Sequence, residues 1–289
     1  MVTLVLVALM VVMGGIGYYT YSRDGLAFRY AASPNDLRAR DWHLRGQGVR
    51  DCSDLLAGTP SAFCATTTDP TIALIGDSHA GALYHGMISN GVDARRRRAL
   101  IMGAGSCQPT LGVESAPDCN KQLAVALQRI KADSGIDTVV LAGYAGFIDP
   151  LAPETEAAFQ AGYARTIREL GAANKKVVFV VDNPSFVKSA EVCQPATLPL
   201  RSIAGEDPAF CSDPTPDDLK DRRRYRRFVD QLRTLHPGVM FFDASNSVCV
   251  DGRCPLFADG KLLYADDNHL SIYGSRRVAD DLVGSIAKR

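Results

Sequence analysis

The chain has 289 residues, 46% hydrophobic and 22% charged, which excludes a disordered or collagen-like polypeptide and leaves room for one large globular domain or two small ones. Lys and Arg number 32, as do Asp and Glu, for a formal net charge of zero. That balance excludes a global electrostatic drive towards nucleic acid, so no nucleic-acid partner is expected.

Val2 to Tyr21 is apolar, with no charge before Arg23. A run of about 20 residues fits a membrane-spanning helix, and Tyr18, Tyr19 and Tyr21 fall where an interfacial aromatic belt belongs. A cleaved signal peptide is the competing reading, but the run lacks a basic start and a small-residue cleavage site. Residues 1–22 are therefore read as a transmembrane helix and single membrane anchor. Residues 23–68 mix Arg, Asp, Gly, Ser and Pro and read as a linker with a disulfide loop, in which Trp42 and His43 are packing residues. The domain that carries the chemistry runs over 69–289.

Eight cysteines fall as sequence neighbours: Cys52 and Cys64, Cys107 and Cys119, Cys193 and Cys211, Cys249 and Cys254. None of these pairs has the C-x-x-C spacing of a zinc ribbon, and all lie in loop-like segments, so four local disulfides are expected rather than metal. Disulfides require an oxidising compartment, which places the body of the chain on the extracytoplasmic side of the membrane.

Five strand-like runs follow: Ile72–Gly76, Ala99–Gly103, Thr138–Ala142, Val177–Val181 and Val239–Asp243. Helical spacing appears in Ala80–Met87, Asn120–Asp133, Pro153–Asn174 and Pro216–His236. Repeated strand and helix predict a parallel sheet of about five strands with helices on both faces, whose site gathers at the carboxyl ends of the strands. Two segments interrupt the alternation: Pro184–Pro216, with Cys193 and Cys211, and Cys249–Asp266, with a hairpin at Ala258-Asp259-Gly260-Lys261. The basic runs Arg95–Arg98 and Arg222–Arg227 invite a nucleic-acid reading, with an anionic glycan or lipid headgroup as the other candidates. In the second, however, Tyr225, Phe228, Val229 and Leu232 share one helical face, which makes the arginines a solvated face.

Ser78 falls at the first strand-to-helix junction, in Gly76-Asp77-Ser78-His79, where unpaired helix N–H groups can hold an oxyanion. Alone, Asp77 or Ser78 could simply cap the helix. The far end of the chain changes the balance: Asp266-Asp267-Asn268-His269 precedes a terminal helix, Ile272–Ala287, capped by Ser271. A carboxylate three residues before a histidine can hold Nδ1 and leave Nε2 facing a serine. Asp267 is the rival orienter. Asp77 braces the turn, and His79 and His85 read as packing or surface residues.

Gly76-Asp77-Ser78 and Asp266-x-x-His269 resemble the first and last blocks of the SGNH (GDSL-like) esterase and acyltransferase superfamily. The longer Gly76-Asp77-Ser78-His79 and His269-Leu270-Ser271, the cysteine after Gly105-Ser106 and the leading apolar helix resemble the periplasmic SGNH domain associated with family-3 membrane acyltransferases. The resemblance implies a three-layer, flavodoxin-like α/β fold, a Ser78–His269–Asp266 triad and no cofactor or metal. It further implies an oxyanion hole from Ser78 with Gly105 or Ser106. Superfamily members carry an asparagine in the third block, whereas Tyr144 stands here, so Tyr144, Asn183 or substrate-assisted docking would complete the hole. The implied activity is O-acyl transfer, O-acetylation of cell-surface polysaccharide in particular, with an acyl donor, a polysaccharide or oligosaccharide acceptor and a membrane acyltransferase partner. A carbohydrate acetylesterase, or a non-catalytic glycan-binding or assembly module, are the alternatives.

Overall fold

The computed structural model describes residues 2–22, 49–56, 58, 61–88, 98–148, 152–186, 212–214, 220–259 and 261–289. Trp42, His43, Arg95–Arg97, Cys193, Cys211 and Gly260 lie outside the described residues. In chain order the elements are α1 (Val2–Ser22), β1 (Arg50–Asp51), β2 (Ala62–Thr66), β3 (Ile72–Gly76), α2 (Ser78–Ile88), β4 (Ala99–Ala104), α3 (Cys119–Ala132), β5 (Thr138–Ala142) and α4 (Pro153–Ala172). There follow β6 (Lys176–Val181), β7 (Ser212–Pro214), α5 (Lys220–Leu235), β8 (Met240–Asp243), α6 (Ser245–Val248), β9 (Arg253–Pro255), β10 (Phe257–Ala258), β11 (Lys261–Leu262) and α7 (Ile272–Ala287).

The main sheet has seven strands in the order β1-β2-β4-β3-β5-β6-β8. Its five parallel strands run second, first, third, fourth, fifth, the flavodoxin-like order, so the chain reverses its winding at β3 and a crevice opens at that strand's carboxyl end. Parallel strands covered on both faces must be apolar throughout, and β3 is buried at all five positions. Leu74, Ile101, Val140 and Val178 face α2 and α7. Their neighbours Ile75, Leu100, Val139 and Val177 face α3, α4 and α5. The three-layer arrangement expected from the alternation is present.

Two differences concern the sheet edge, in sequence too short to show periodicity, and the arginines of α5. β1 and β2 lie in the stretch read as linker, yet β2 pairs antiparallel with β4 and widens the sheet. The Cys52–Cys64 bridge ties this edge together, and Cys64 and Ala65 are buried. In α5, Tyr225, Phe228, Val229 and Leu232 pack inwards as the spacing predicts. Arg222, however, is buried, and Arg224 and Arg226 pair with Glu156 and Asp243, so the arginine run is not simply a solvated face. Cys107–Cys119 and Cys249–Cys254 are also bridged. The hairpin forms from β10 and β11.

Helices α2 and α7 are locked at close range. A Cβ on Gly86 would lie 2.2 Å from the Ser275 carbonyl oxygen, and the Gly86 N–H donates to Ser275 Oγ at 2.6 Å. Ser275 Oγ in turn donates to the Ala82 carbonyl. This contact joins the helix after Ser78 to the helix after His269, so the two halves of the site share one rigid support.

Among the described residues no helix is long and apolar enough to cross a membrane. In α1 the side chains described are those of Thr3 and residues 5–20. Of these, Met10, Val11 and Met13 are more than two-thirds exposed.

Candidate active site

β3 leaves the sheet through Gly76, where a Cβ would sit 1.7 Å from the Ala142 carbonyl oxygen at the end of β5. Only glycine permits that approach. Asp77 then caps α2: its carbonyl accepts from Gly81 N at 3.1 Å and its Oδ1 accepts from His79 N at 2.9 Å. Ser78 is the first helical residue. Its N–H has no intrahelical acceptor and lies at the positive end of the helix dipole.

Asp77 Oδ2 accepts from Gln108 Nε2 at 2.7 Å and from Tyr144 N at 2.8 Å, and Gln108 Oε1 accepts from Tyr163 OH at 2.6 Å. One buried carboxyl thus binds together the turns after β3, β4 and β5, the bracing expected of it. Burial pushes the Asp77 carboxyl up, against the charge of His79 and the backbone N–H donors of Tyr144 and His79.

The second half is the loop entering α7. Asp266 Oδ1 accepts the N–H groups of Asn268 (2.9 Å) and His269 (2.7 Å), folding the loop around the carboxylate. Asp266 Oδ2 meets His269 Nδ1 at 2.7 Å, and His269 Nε2 faces Ser78 Oγ at 2.8 Å. Burial would raise the Asp266 carboxyl, but the hydrogen bond to the His269 ring and the two backbone donors bring it down to about 2. Asp267 is exposed and accepts from the Asn268 side chain instead, so Asp266 is the partner of His269. Ser271 caps α7 by accepting from Gly274 N at 3.0 Å.

The structure brings Ser78, His269 and Asp266 together but not the full set of expected oxyanion donors. Gly105 N donates to the Ser61 carbonyl at 3.1 Å, because the edge strand β2, unforeseen in the sequence, supplies that acceptor. The Tyr144 N–H is held by Asp77, and its hydroxyl bonds Ser185. Asn183 Nδ2 donates to the Asn268 carbonyl at 2.8 Å and to the Pro184 carbonyl. The N–H groups of Gly105 and Tyr144 and the Asn183 amide are therefore engaged within the scaffold. Ser106, at φ 63° and exposed, the Ser78 N–H and the Tyr144 hydroxyl are the remaining members of the expected set.

Sequence reasoning missed a buried pair beside the Ser78–His269–Asp266 series. His79 Nδ1 lies 2.8 Å from Asp182 Oδ1 and Nε2 lies 3.3 Å from Asn268 Oδ1. Asp182 stands at the carboxyl end of β6, where open α/β sheets place functional groups, and that position was the available signal. Burial opposes a charge on His79, yet Asp182, with lesser help from Asp77 and Asn268, raises its pKa to about 9 from 6.5. A raised folded-state pKa contributes stability that is complete below 6.5 and lost as pH rises through about 9. Melting temperature should therefore fall from pH 6.5 to pH 9 in the wild type, a decline that His79→Phe/Asp182→Asn should flatten; equal slopes would contradict the assignment.

A serine Oγ, an imidazole and a carboxylate in hydrogen-bond series, with a free helix N–H beside the oxygen, can perform nucleophilic acyl chemistry. The sequence model of the SGNH domain, described as fused to AT3 domains, matches residues 50–283. The chain belongs to this SGNH family. Among solved structures, this SGNH chain is similar to the periplasmic domain of a lipopolysaccharide acetyltransferase from Salmonella ser. Paratyphi A, with a TM-score of 0.62 at 13% identity over 90% of this chain and 99% of that one. A putative arylesterase from Agrobacterium tumefaciens (TM-score 0.45, 15% identity, 76% and 99% covered) is a more distant structural neighbour. So is Est24, a carbohydrate acetylesterase from Sinorhizobium meliloti (TM-score 0.44, 14% identity, 76% and 99% covered). Among curated proteins none matches this chain.

Proposed function

We propose that this SGNH domain is a serine-dependent O-acyltransferase that moves an acyl group, acetyl in the first instance, onto a saccharide hydroxyl through an acyl-enzyme. The observation that carries the reading is the 2.8 Å contact between Ser78 Oγ and His269 Nε2 at the sheet's switch point. His269 takes the Ser78 proton as Oγ attacks the acyl carbon, and Asp266 stabilises the imidazolium that results. The oxyanion forms beside the Ser78 N–H, and Ser106 is the second backbone donor of the proposal. His269 then protonates the leaving group, the acyl-enzyme remains on Ser78, and His269 activates the saccharide hydroxyl that accepts the acyl group.

Transfer rather than hydrolysis is favoured by the likeness in fold to a lipopolysaccharide acetyltransferase domain and by the family's fusion to AT3 domains. On this reading a membrane acyltransferase delivers the acyl group. Residues 1–22, apolar and helical over Val2–Ser22, anchor the domain to the membrane on its extracytoplasmic, periplasmic side, in keeping with the three disulfides among the described residues.

The test is partition of one acyl-enzyme between acceptors. With p-nitrophenyl acetate as donor and a bacterial-polysaccharide oligosaccharide added, acetylated oligosaccharide should accumulate at the expense of free acetate, and neither product should form with Ser78→Ala. Acetate alone at every acceptor concentration would make the protein an esterase.

A further inference from the structure

We propose that His79, paired with Asp182, is a positioning residue for the acyl-transfer centre: it clamps Asn268 and backs the His269 ring, so that the Asp266–His269 loop stays in register with Ser78. The inference rests on Ser78, His269 and Asp266 forming the reacting set.

Both ring nitrogens of His79 meet acceptors. Nδ1 faces the Asp182 carboxylate and Nε2 faces Asn268 Oδ1, whose amide orientation is set by Nδ2 donating to Asp267. Two acceptors require two donors, so the ring is an imidazolium. Asp182 is fixed in turn, since its Oδ2 accepts from Ala145 N at 2.8 Å and its Oδ1 from Asn183 N at 2.9 Å. The cation therefore has a buried, oriented counter-charge, the condition under which a buried ion is tolerated.

From this anchor His79 reaches the catalytic loop twice. It holds Asn268, the residue immediately before His269, and its ring lies 4.8 Å from the His269 ring at a tilt of 51°. The Tyr144 ring stands at the same distance on His79. The segment after β6 grips the same loop independently, through Asn183 Nδ2 on the Asn268 carbonyl and Phe186 N on the Asp267 carbonyl. Those contacts hold the loop backbone, whereas His79 alone among these groups touches the His269 ring. Because Asp77 caps the His79 N–H, the clamp starts from the same turn that presents Ser78. Nucleophile and base are thus referenced to one helix end rather than to two separate loops.

The test uses the full chain hydrolysing p-nitrophenyl acetate. His79→Phe/Asp182→Asn removes the ion pair as a unit, and Asn268→Ala removes the acceptor while leaving the pair intact. Each should lower kcat by roughly 10- to 100-fold, the cost of misplacing a reacting group by a fraction of an ångström to an ångström, with KM changed less than about twofold. His79→Gln, which retains a donor towards Asn268, should recover part of that loss. The downfield proton shared by His269 and Asp266 should broaden in the variants that lose the clamp. Wild-type kcat in either the folded double variant or Asn268→Ala would overturn the proposal, and if the double variant does not fold, Asn268→Ala decides alone. Ser78→Ala in the same assay separates the two levels: activity surviving there refutes the acyl-enzyme itself, whereas an inactive Ser78→Ala beside fully active clamp variants refutes only the role of His79.

Discussion

Ser78→Ala is expected to remove acyl transfer while leaving the fold intact. Among the described residues the Ser78 side chain makes one hydrogen bond, to His269 Nε2, and it is only part-buried, so its loss strands no buried donor. Its backbone N–H continues to stand at the start of α2. Only the nucleophile disappears, and loss of the serine from a working triad lowers kcat by about 10^6-fold. Melting temperature should stay close to that of the wild type, since surface-level truncation away from packing shifts stability by only about 0.5 kcal/mol. Steady-state kinetics beside thermal denaturation checks both halves: a rate near the wild type would assign the site to binding rather than chemistry.

Asp266→Asn should be severely damaging by a subtler route. The carboxylate accepts from His269 Nδ1 through Oδ2 while Oδ1 holds the loop through the backbone N–H groups of Asn268 and His269. An amide can keep the Oδ1 contacts, so the loop should persist. Its NH2 group, however, now faces Nδ1 and selects the tautomer with the proton on Nε2. A protonated Nε2 cannot accept the Ser78 proton, and a fall in kcat of about 10^4-fold follows. Because nucleophile, base and orienter act as a unit, combining the substitution with Ser78→Ala should cost no more than Ser78→Ala alone. Stability carries a separate signature. The Asp266 carboxyl is depressed to about 2 from 3.8, so its contribution is present above 3.8 and lost as pH falls through about 2. In the wild type that contribution fades towards strong acid, and the variant should lack it throughout. Rate measurements near neutrality and melting curves between pH 2 and pH 6 distinguish the catalytic loss from the structural one.

How much of this was legible in the sequence follows from how local each signal is. The strands β3 to β6 and β8 are continuous apolar runs bounded by turn residues, and α7 with its Ser271 cap is periodic, so their positions emerge from the chain itself. The hydrogen-bonded series Ser78–His269–Asp266 was legible because Asp266 and His269 are three residues apart and Ser78 sits on a strand-to-helix junction, each a short-range pattern. β2 was not, since five residues of Ala62–Thr66 become a strand only through pairing with β4 and the Cys52 bridge. The engagement of the Gly105 N–H by the Ser61 carbonyl follows from the same edge, because Ser61 reaches it only once β2 is in place. Asp182 and His79 are 103 residues apart and meet only when β6 lies next but one to β3 in the sheet. Burial of Arg222 likewise reflects tertiary packing around Tyr225 and Asp182 rather than the helical period of its own segment.

The central claim is that Ser78 Oγ carries the acyl group. Rapid acid quenching of the protein with p-nitrophenyl acetate, followed by intact-mass measurement and peptide mapping, tests it directly. The account predicts a single acetyl adduct on the peptide containing Ser78, accumulating in the wild type and absent from Ser78→Ala and His269→Ala. An adduct on another residue, or turnover at the wild-type rate by Ser78→Ala, would contradict it.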